Sequence, residues 1–304
     1  MGRAQIRGGL IAASLFLYLA VWSIGCSKER PIIVGSKNFT EQLILGEILA
    51  QHVEHRLHTK VDRRLNLGGT LLAHQALVHG DIDLYPEYTG TALTSILKLP
   101  PASDPRHVFE QVKSEYQRRF RIEWLEALGF NNTFAMVIRG DTARQGRMNT
   151  ISDAARYPPG WVFGVGYEFQ QRPDGLTGLL KAYGLPLKGS VRTMDLGLIY
   201  KALEQKQVDM VAGNATDGSL SVLDVKVLQD DKRYFPPYEA AIVARIAVLE
   251  ARPPLREALA ELSGRFTDTV MQNLNYKVDG QHRPVREVAR DFLQQAGLSQ
   301  QTPR

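Results

Sequence analysis

Lys37 and Arg172 are cations at strand-to-helix transitions of the sequence pattern, and Tyr88, Phe134, Phe169 and Tyr238 each fall at a strand end or in a turn. In an open α/β sheet such positions gather outside the carboxyl ends of the strands, where ligands bind. An aromatic face attracts a desolvated cation by about 0.5–2 kcal/mol per ring. A lysine or arginine fixes a carboxylate by charge-assisted hydrogen bonds. Together these residue types suit a small ligand with a positive head and a carboxylate tail, although any one ring taken alone is more often part of a core.

The stretch GDIDLYPEYTGTAL, residues 80–93, concentrates this chemistry. Asp81 to Tyr85 alternates polar and apolar, the period of a short half-buried strand. Pro86 has no N–H to donate and argues against continuation as a central strand. Gly90 frees the backbone, and Thr89 and Thr91 set two hydroxyls beside Tyr88.

Other chemistries find less support. There is no G-x-S-x-G elbow and no G-x-x-x-x-G-K phosphate loop, and GVGYEF lacks the third glycine of a dinucleotide loop. His52, His55 and His58 recur every third residue, a spacing that drifts around a helix. A solvated helix face explains them better than a metal site. Asp81, Asp83 and Glu87 could pair for acid–base work but read better as strand-end and turn polar groups. No catalytic residue, metal or cofactor is expected. An enzyme built on this fold stays open as an alternative class.

The elements that must position these residues alternate. PIIVGS is a buried strand, and Asn38 with Glu41 can form a capping box for a helix running to about Leu57. KVDRRLNL is a second strand, followed by Gly68-Gly69-Thr70 and a helix over Leu71 to Val78. Strand, helix, strand, helix, strand within some sixty residues indicates βαβ units and a parallel sheet. Residues 105–128 read as one amphipathic helix ending at Gly129. TFAMVIRG, WVFGVGYEF, VDMVAG, DVKVL and AAIVARIAVL read as strands, GLLKAYGL and GLIYKALEQK as helices, and helices over 254–274 and 284–296 close the chain. A second βα series inserted between two halves of a first would give two lobes and a cleft.

The N-terminal residues 1–25 carry Arg3, Arg7 and no acid, then LIAASLFLYLAVWSIG, then Cys26, the only cysteine of the 304 residues. Charged n-region, apolar h-region and small residue before the cut make a secretory signal. The segment resembles a lipobox, with Ser23 in place of the usual leucine, and Cys26 would then be lipidated as the first mature residue. A plain membrane anchor is the alternative, though the apolar run falls short of the roughly 20 residues of a span. The net charge of +5 is too mild for nucleic acid, and no basic run carries interleaved aromatics. One cysteine leaves no disulfide, so the fold rests on its core.

The motifs VGSKNFTEQLILGEIL, LGGT, GDIDLYPEYTGTAL, LGFNNTFAMVI, MDLGLIYKAL, VDMVAGNATDGSL and DDKRYFPPYEA follow in order. Over about residues 32–297 the chain resembles the OpuAC-like substrate-binding proteins of osmoprotectant ABC importers for glycine betaine, carnitine and choline. The resemblance implies an α/β, two-lobed type II periplasmic-binding-protein fold with a ligand cleft between the lobes. Residues 31–135 plus 237–304 would form one lobe and 136–236 the other, after a signal peptide at 1–25. It implies capture of a small zwitterionic or cationic solute by a monomer, delivery to an ABC permease without catalysis, and an exported, lipid-anchored location. It also implies site roles. Tyr88, Phe134 and Tyr238 would cage a trimethylammonium group, with Phe169 beside Arg172. Lys37, Arg172 and Thr91 would clamp the carboxylate. Phe134 replaces a usual tyrosine, and Asn214 stands where the family often has another ring. A cage short of one ring leaves open a second ligand class, a polar or amino-acid-like solute such as a histidine betaine.

Overall fold

The computed structural model describes residues 30–299; the expected signal peptide at 1–25 and the expected lipidation site Cys26 lie outside them. Among the described residues the strands are β1 (Ile32–Gly35), β2 (Val61–Arg64), β3 (Leu84–Tyr88), β4 (Ile122–Asn131), β5 (Phe134–Arg139), β6 (Phe163–Val165), β7 (Arg192–Thr193), β8 (Met210–Asn214), β9 (Val225–Leu228) and β10 (Glu239–Arg245). They form two five-stranded sheets, ordered β2-β1-β3-β10-β4 and β7-β6-β8-β5-β9. The chain passes from the first sheet to the second between β4 and β5, and returns between β9 and β10. Each sheet is mixed: β1 runs parallel to β2 and β3, and β6 to β7 and β8, while β10 and β5 run antiparallel to their neighbours.

Period-two alternation sends side chains to both faces of each sheet. On β3, Leu84 joins the cluster of Ile44 and Ile48 from the helix Thr40–Leu57. Tyr85 joins Tyr116 and Trp124 on the opposite face. On β5, Met136 and Ile138 face one cluster and Ala135 and Val137 the other, with Ile199 and Leu203.

Pro86 lies in a central strand, contrary to the reading from its missing N–H. β3 sits between β1 and β10, and all five of its residues are buried. The ladder to β1 holds only at Val34–Leu84, whereas that to β10 runs on from Leu84 to Tyr88. A residue's N and O share one strand edge, and the Pro86 carbonyl accepts from Gln42 Nε2 at 2.9 Å. The edge that has no donor therefore faces a side chain, not a strand.

The single helix read over 105–128 is a helix, Pro105–Phe120, followed by β4. Arg121 turns left-handed (φ 58°) and ends the helix. Trp124, Leu125 and Leu128 continue a helix-like spacing because β4 and β10 shift register twice, which breaks strict alternation. Three other spans divide. WVFGVGYEF is β6 and the short helix Tyr167–Gln171, AAIVARIAVL is β10 and the helix Ile246–Ala251, and 254–274 falls across two helices, Pro253–Ala260 and Asp268–Asp279. His52 is buried against the Ala258 carbonyl at 2.8 Å, so the solvated histidine face holds only for His55 and His58.

Candidate ligand-binding site

The eight candidate residues Lys37, Tyr88, Thr91, Phe134, Phe169, Arg172, Asn214 and Tyr238 line one cavity of about 450 Å3. Topology explains the convergence. Lys37 lies two residues beyond β1, and Tyr88 and Asn214 are the last residues of β3 and β8. Phe169 and Arg172 belong to the turn of helix that follows β6. Phe134 opens β5 and Tyr238 directly precedes β10, and both strands run antiparallel, so their beginnings lie at the same end. Gly90 permits a close approach: a Cβ there would stand 2.7 Å from the Pro237 carbonyl and 2.8 Å from the Tyr238 ring.

At one end Arg172 is fixed on all sides. Its Nε and Nη2 donate to Asp174 at 2.9 and 2.7 Å, and its Nη1 donates to Thr91 Oγ1 at 2.9 Å. The guanidinium lies 5.2 Å from the centre of the Phe134 ring and 5.5 Å from that of Tyr238. Phe134 packs in turn on Phe169 at 4.7 Å, Tyr238 at 5.4 Å and Phe235 at 5.6 Å. The Tyr238 hydroxyl donates to Asp174. Burial alone would raise the Asp174 carboxyl, but the Arg172 hydrogen bonds and charge outweigh it and hold it below the usual range.

Lys37 belongs to a second pair. Its Nζ is 2.5 Å from Glu87 Oε1 with both side chains buried, and 5.1 Å from the Tyr88 ring centre. Glu87 also accepts from the Tyr85 hydroxyl at 2.9 Å and the Tyr88 amide at 2.7 Å. Of the three acids in the stretch 80–93, Glu87 is thus an ion-pair partner in the core, and Asp83 accepts from the Ile33 amide at 2.9 Å.

Sequence reasoning missed the residue at the opposite end. Glu41 does not cap its helix, whose N-cap Phe39 makes no side-chain cap bond. Its carboxylate turns inward and accepts from Tyr88 Oη (2.6 Å), Asn132 Nδ2 (2.8 Å), Thr216 Oγ1 (2.5 Å) and Asn275 Nδ2 (3.2 Å). Burial pushes its pKa up to about 7, against the lowering effect of the Thr216, Tyr88 and Asn275 bonds. Asp217 is a second missed acid. Burial raises it too, and it accepts from the Asn214 amide at 2.8 Å and the Tyr200 hydroxyl at 2.7 Å. Asn214 therefore lines the cavity with an acid behind it. FTEQ and NATDG carried both acids, but nothing in their spacing marks an inward-turned carboxylate.

A last contact joins the two sheets' bodies at the cavity rim. Glu168, after β6, accepts from the Thr70 amide at 2.5 Å and the Thr70 hydroxyl at 3.0 Å. Thr70 opens the helix Thr70–His79, whose N-cap is the side-chain-less Gly69.

A cavity walled by the strand ends of two α/β sheets, with rings, one guanidinium and buried acids, defines a solute-binding protein of the two-lobed periplasmic type. The chain belongs to the family described as the substrate binding domain of ABC-type glycine betaine transport systems, which matches residues 30–295. It is 38% identical over 293 residues to an ergothioneine transport permease/ergothioneine binding protein of Helicobacter pylori, covering 95% of this chain and 52% of that one. It spans, then, about half the length of that relative. It is 36% identical over 288 residues to the carnitine transport binding protein OpuCC of Listeria monocytogenes, covering 94% of this chain and 93% of that one. The crystal structure of a glycine betaine/carnitine/choline ABC transporter protein superposes with a TM-score of 0.75 at 33% identity, covering 88% of this chain and 99% of that chain. These relatives are named for transport and binding, not catalysis. Binding proteins of ABC importers act outside the cytoplasm. Among the described residues no helix is long and apolar enough to cross a membrane.

Proposed function

We propose that this protein captures a zwitterion bearing a quaternary ammonium group and passes it to an ABC permease. The reading rests on one observation: Arg172, Thr91, Tyr88, Phe134 and Tyr238 share a single cavity. Arg172, Thr91 and Lys37 take the ligand's carboxylate, each of the two cations also keeping a buried acid of its own, Asp174 and Glu87. Tyr88, Phe134 and Tyr238 take the ammonium, with Phe169 packed behind Phe134. Since Arg172 already lies over Phe134 and Tyr238, the ligand's cation uses the ring faces that Arg172 leaves open.

The Asn214–Asp217 pair favours a betaine with an additional hydrogen-bonding group over glycine betaine itself. An amide backed by a carboxylate receives an N–H or O–H and offers no π-face. The ergothioneine-binding relative makes a ring-bearing betaine the first candidate, with carnitine second. The lobes comprise the elements up to β4 together with those from β10 onward, and the elements from β5 to β9, and they close on the ligand about the two crossings. Cys26 carries the lipid anchor, and the protein works as a monomer.

Calorimetry of the purified protein against ergothioneine, carnitine, glycine betaine and choline tests the reading. Binding of one or more quaternary ammonium compounds, weakened in Arg172→Ala for the carboxylate-bearing ones alone, supports it. Binding of none of them, or equal loss for choline, sinks it.

A further inference from the structure

The cavity carries more buried acid than its own cations neutralise. Lys37 is taken by Glu87 and Arg172 by Asp174. Glu41 lines the same cavity, and among the described residues its four partners are all neutral: a phenol, two amides and a hydroxyl. The charged groups around it come from each packed element. Asp217 follows Thr216 on the second lobe, Glu87 with Lys37 lies behind Tyr88 on β3, and Asp279, held by Thr40, ends the helix that bears Asn275. Of these, Asp217 is an acid whose charge makes ionisation of Glu41 harder still.

We propose that Glu41 is the counter-charge for the cationic head of the ligand, and that entry of the cation expels the proton Glu41 holds in the empty cavity. The inference rests on the functional reading above, because it needs a ligand with a permanent positive charge. The exchange balances: a neutral carboxyl plus a cation becomes a carboxylate–cation pair plus a proton released to water. No other bond changes.

The wall is built to hold either state. A Thr216 hydroxyl accepts as readily as it donates, so it can receive the Glu41 proton when there is one. Among the described residues the Asn132 and Asn275 amide oxygens are buried without a partner, and either can turn toward a protonated carboxyl. Glu41 also reaches the ligand through Tyr88. A phenol donating to a carboxylate has a more electron-rich ring, which strengthens attraction for a cation on its face. Glu41 is thus a positioning residue that acts by charge and through Tyr88. An ionisation balanced near neutrality is what makes the exchange responsive, since burial raises this carboxyl to about 7.

The experiment is calorimetry of the full chain with choline and glycine betaine, from about pH 5.5 to about pH 8.5, in two buffers of different ionisation heat. Neither ligand titrates in that window, so any proton comes from the protein. Binding should release a fraction of a proton near pH 7, seen as a buffer-dependent heat. Affinity should rise roughly tenfold across the window if the cation lowers the Glu41 pKa by about one unit. Glu41→Gln should abolish the proton release and flatten the profile. Thr216→Val, which deletes one donor to the carboxylate, should move the midpoint of the profile to higher pH. Binding with no buffer-dependent heat in the wild type overturns the inference and leaves the functional reading standing, and needs no variant to be seen. Proton release that persists in Glu41→Gln and disappears in Asp217→Asn also overturns it. Should neither bind, carnitine, which also does not titrate in that window, takes their place in the same titration, and failure of carnitine and ergothioneine as well counts against the functional reading and removes this inference with it.

Discussion

At the Arg172 end of the cavity every charge touches an opposite charge. The guanidinium grips Asp174 with two nitrogens, Thr91 with a third, and lies against two rings. At the Glu41 end a carboxylate equally buried is held by neutral donors alone. The first arrangement keeps its ionisation fixed over the physiological range, and the second brings a carboxyl to about 7. Burial is common to both, so the difference lies in whether a fixed opposite charge accompanies it. One end is a rigid anchor and the other responds to its surroundings.

Breaking the anchor should have the largest effect. Asp174→Ala leaves a buried guanidinium unpaired, and removal of one partner of such a pair costs about 3–5 kcal/mol. Chemical unfolding should show that loss, and a variant as stable as wild type would mean that Arg172 finds other compensation. The responsive end is tested by pH. Glu41 has a raised folded-state pKa, so the folded state binds its proton more tightly and the unliganded protein loses stability as pH rises from 4.5 to about 7. Linkage sets the whole effect at roughly 3 kcal/mol. Glu41→Gln should remove that slope in denaturation curves across the window. An unchanged slope would place the responsive group elsewhere.

Smaller effects concern the ligand. Arg172→Ala should weaken a carboxylate-bearing ligand by about 1.5–3 kcal/mol, the range for a hydrogen bond to a charged group. Lys37→Ala should fall in the same range, because each of the two cations already keeps one buried acid of its own. Calorimetry in which both variants bind a betaine like wild type would overturn the clamp. Asn214→Tyr should raise glycine betaine affinity by about 0.5–2 kcal/mol where the new ring reaches the cation, and should lower affinity for a ligand with a polar ring. Unchanged betaine affinity would show that this position faces no cation.

The contrast between the two ends also separates what the sequence made legible from what it did not. Phe134 and Tyr238 stand at strand ends within distinctive motifs and Arg172 at the end of the short helix that follows β6, and their convergence follows from which ends of the strands face the cavity. Glu41 looked like a helix-capping acid because capping needs only local spacing. Its true partners lie 47, 91, 175 and 234 residues away. The same limit hid Pro86 in a central strand, since the reason it is tolerated is a carbonyl bonded to Gln42 from another element. The strand β4 was hidden by register shifts against β10, a partner more than a hundred residues distant. Local pattern reports what a segment can do, and a partner remote in sequence decides which option it takes.

The Glu168–Thr70 contact has a mechanical consequence. Gly69 offers no side chain to the first amides of the helix Thr70–His79, and the acid that fills their need comes from the other sheet's body. Any excursion that parts the two bodies by more than the length of a hydrogen bond strips that helix of its cap and returns the Thr70 amide to water. The end of an otherwise ordinary helix thereby becomes an aperture gauge: amide hydrogen exchange at Thr70 should run at a rate set by how often the cavity stands open. A dwell time could then be read from a single backbone proton, with no label placed in the ligand site.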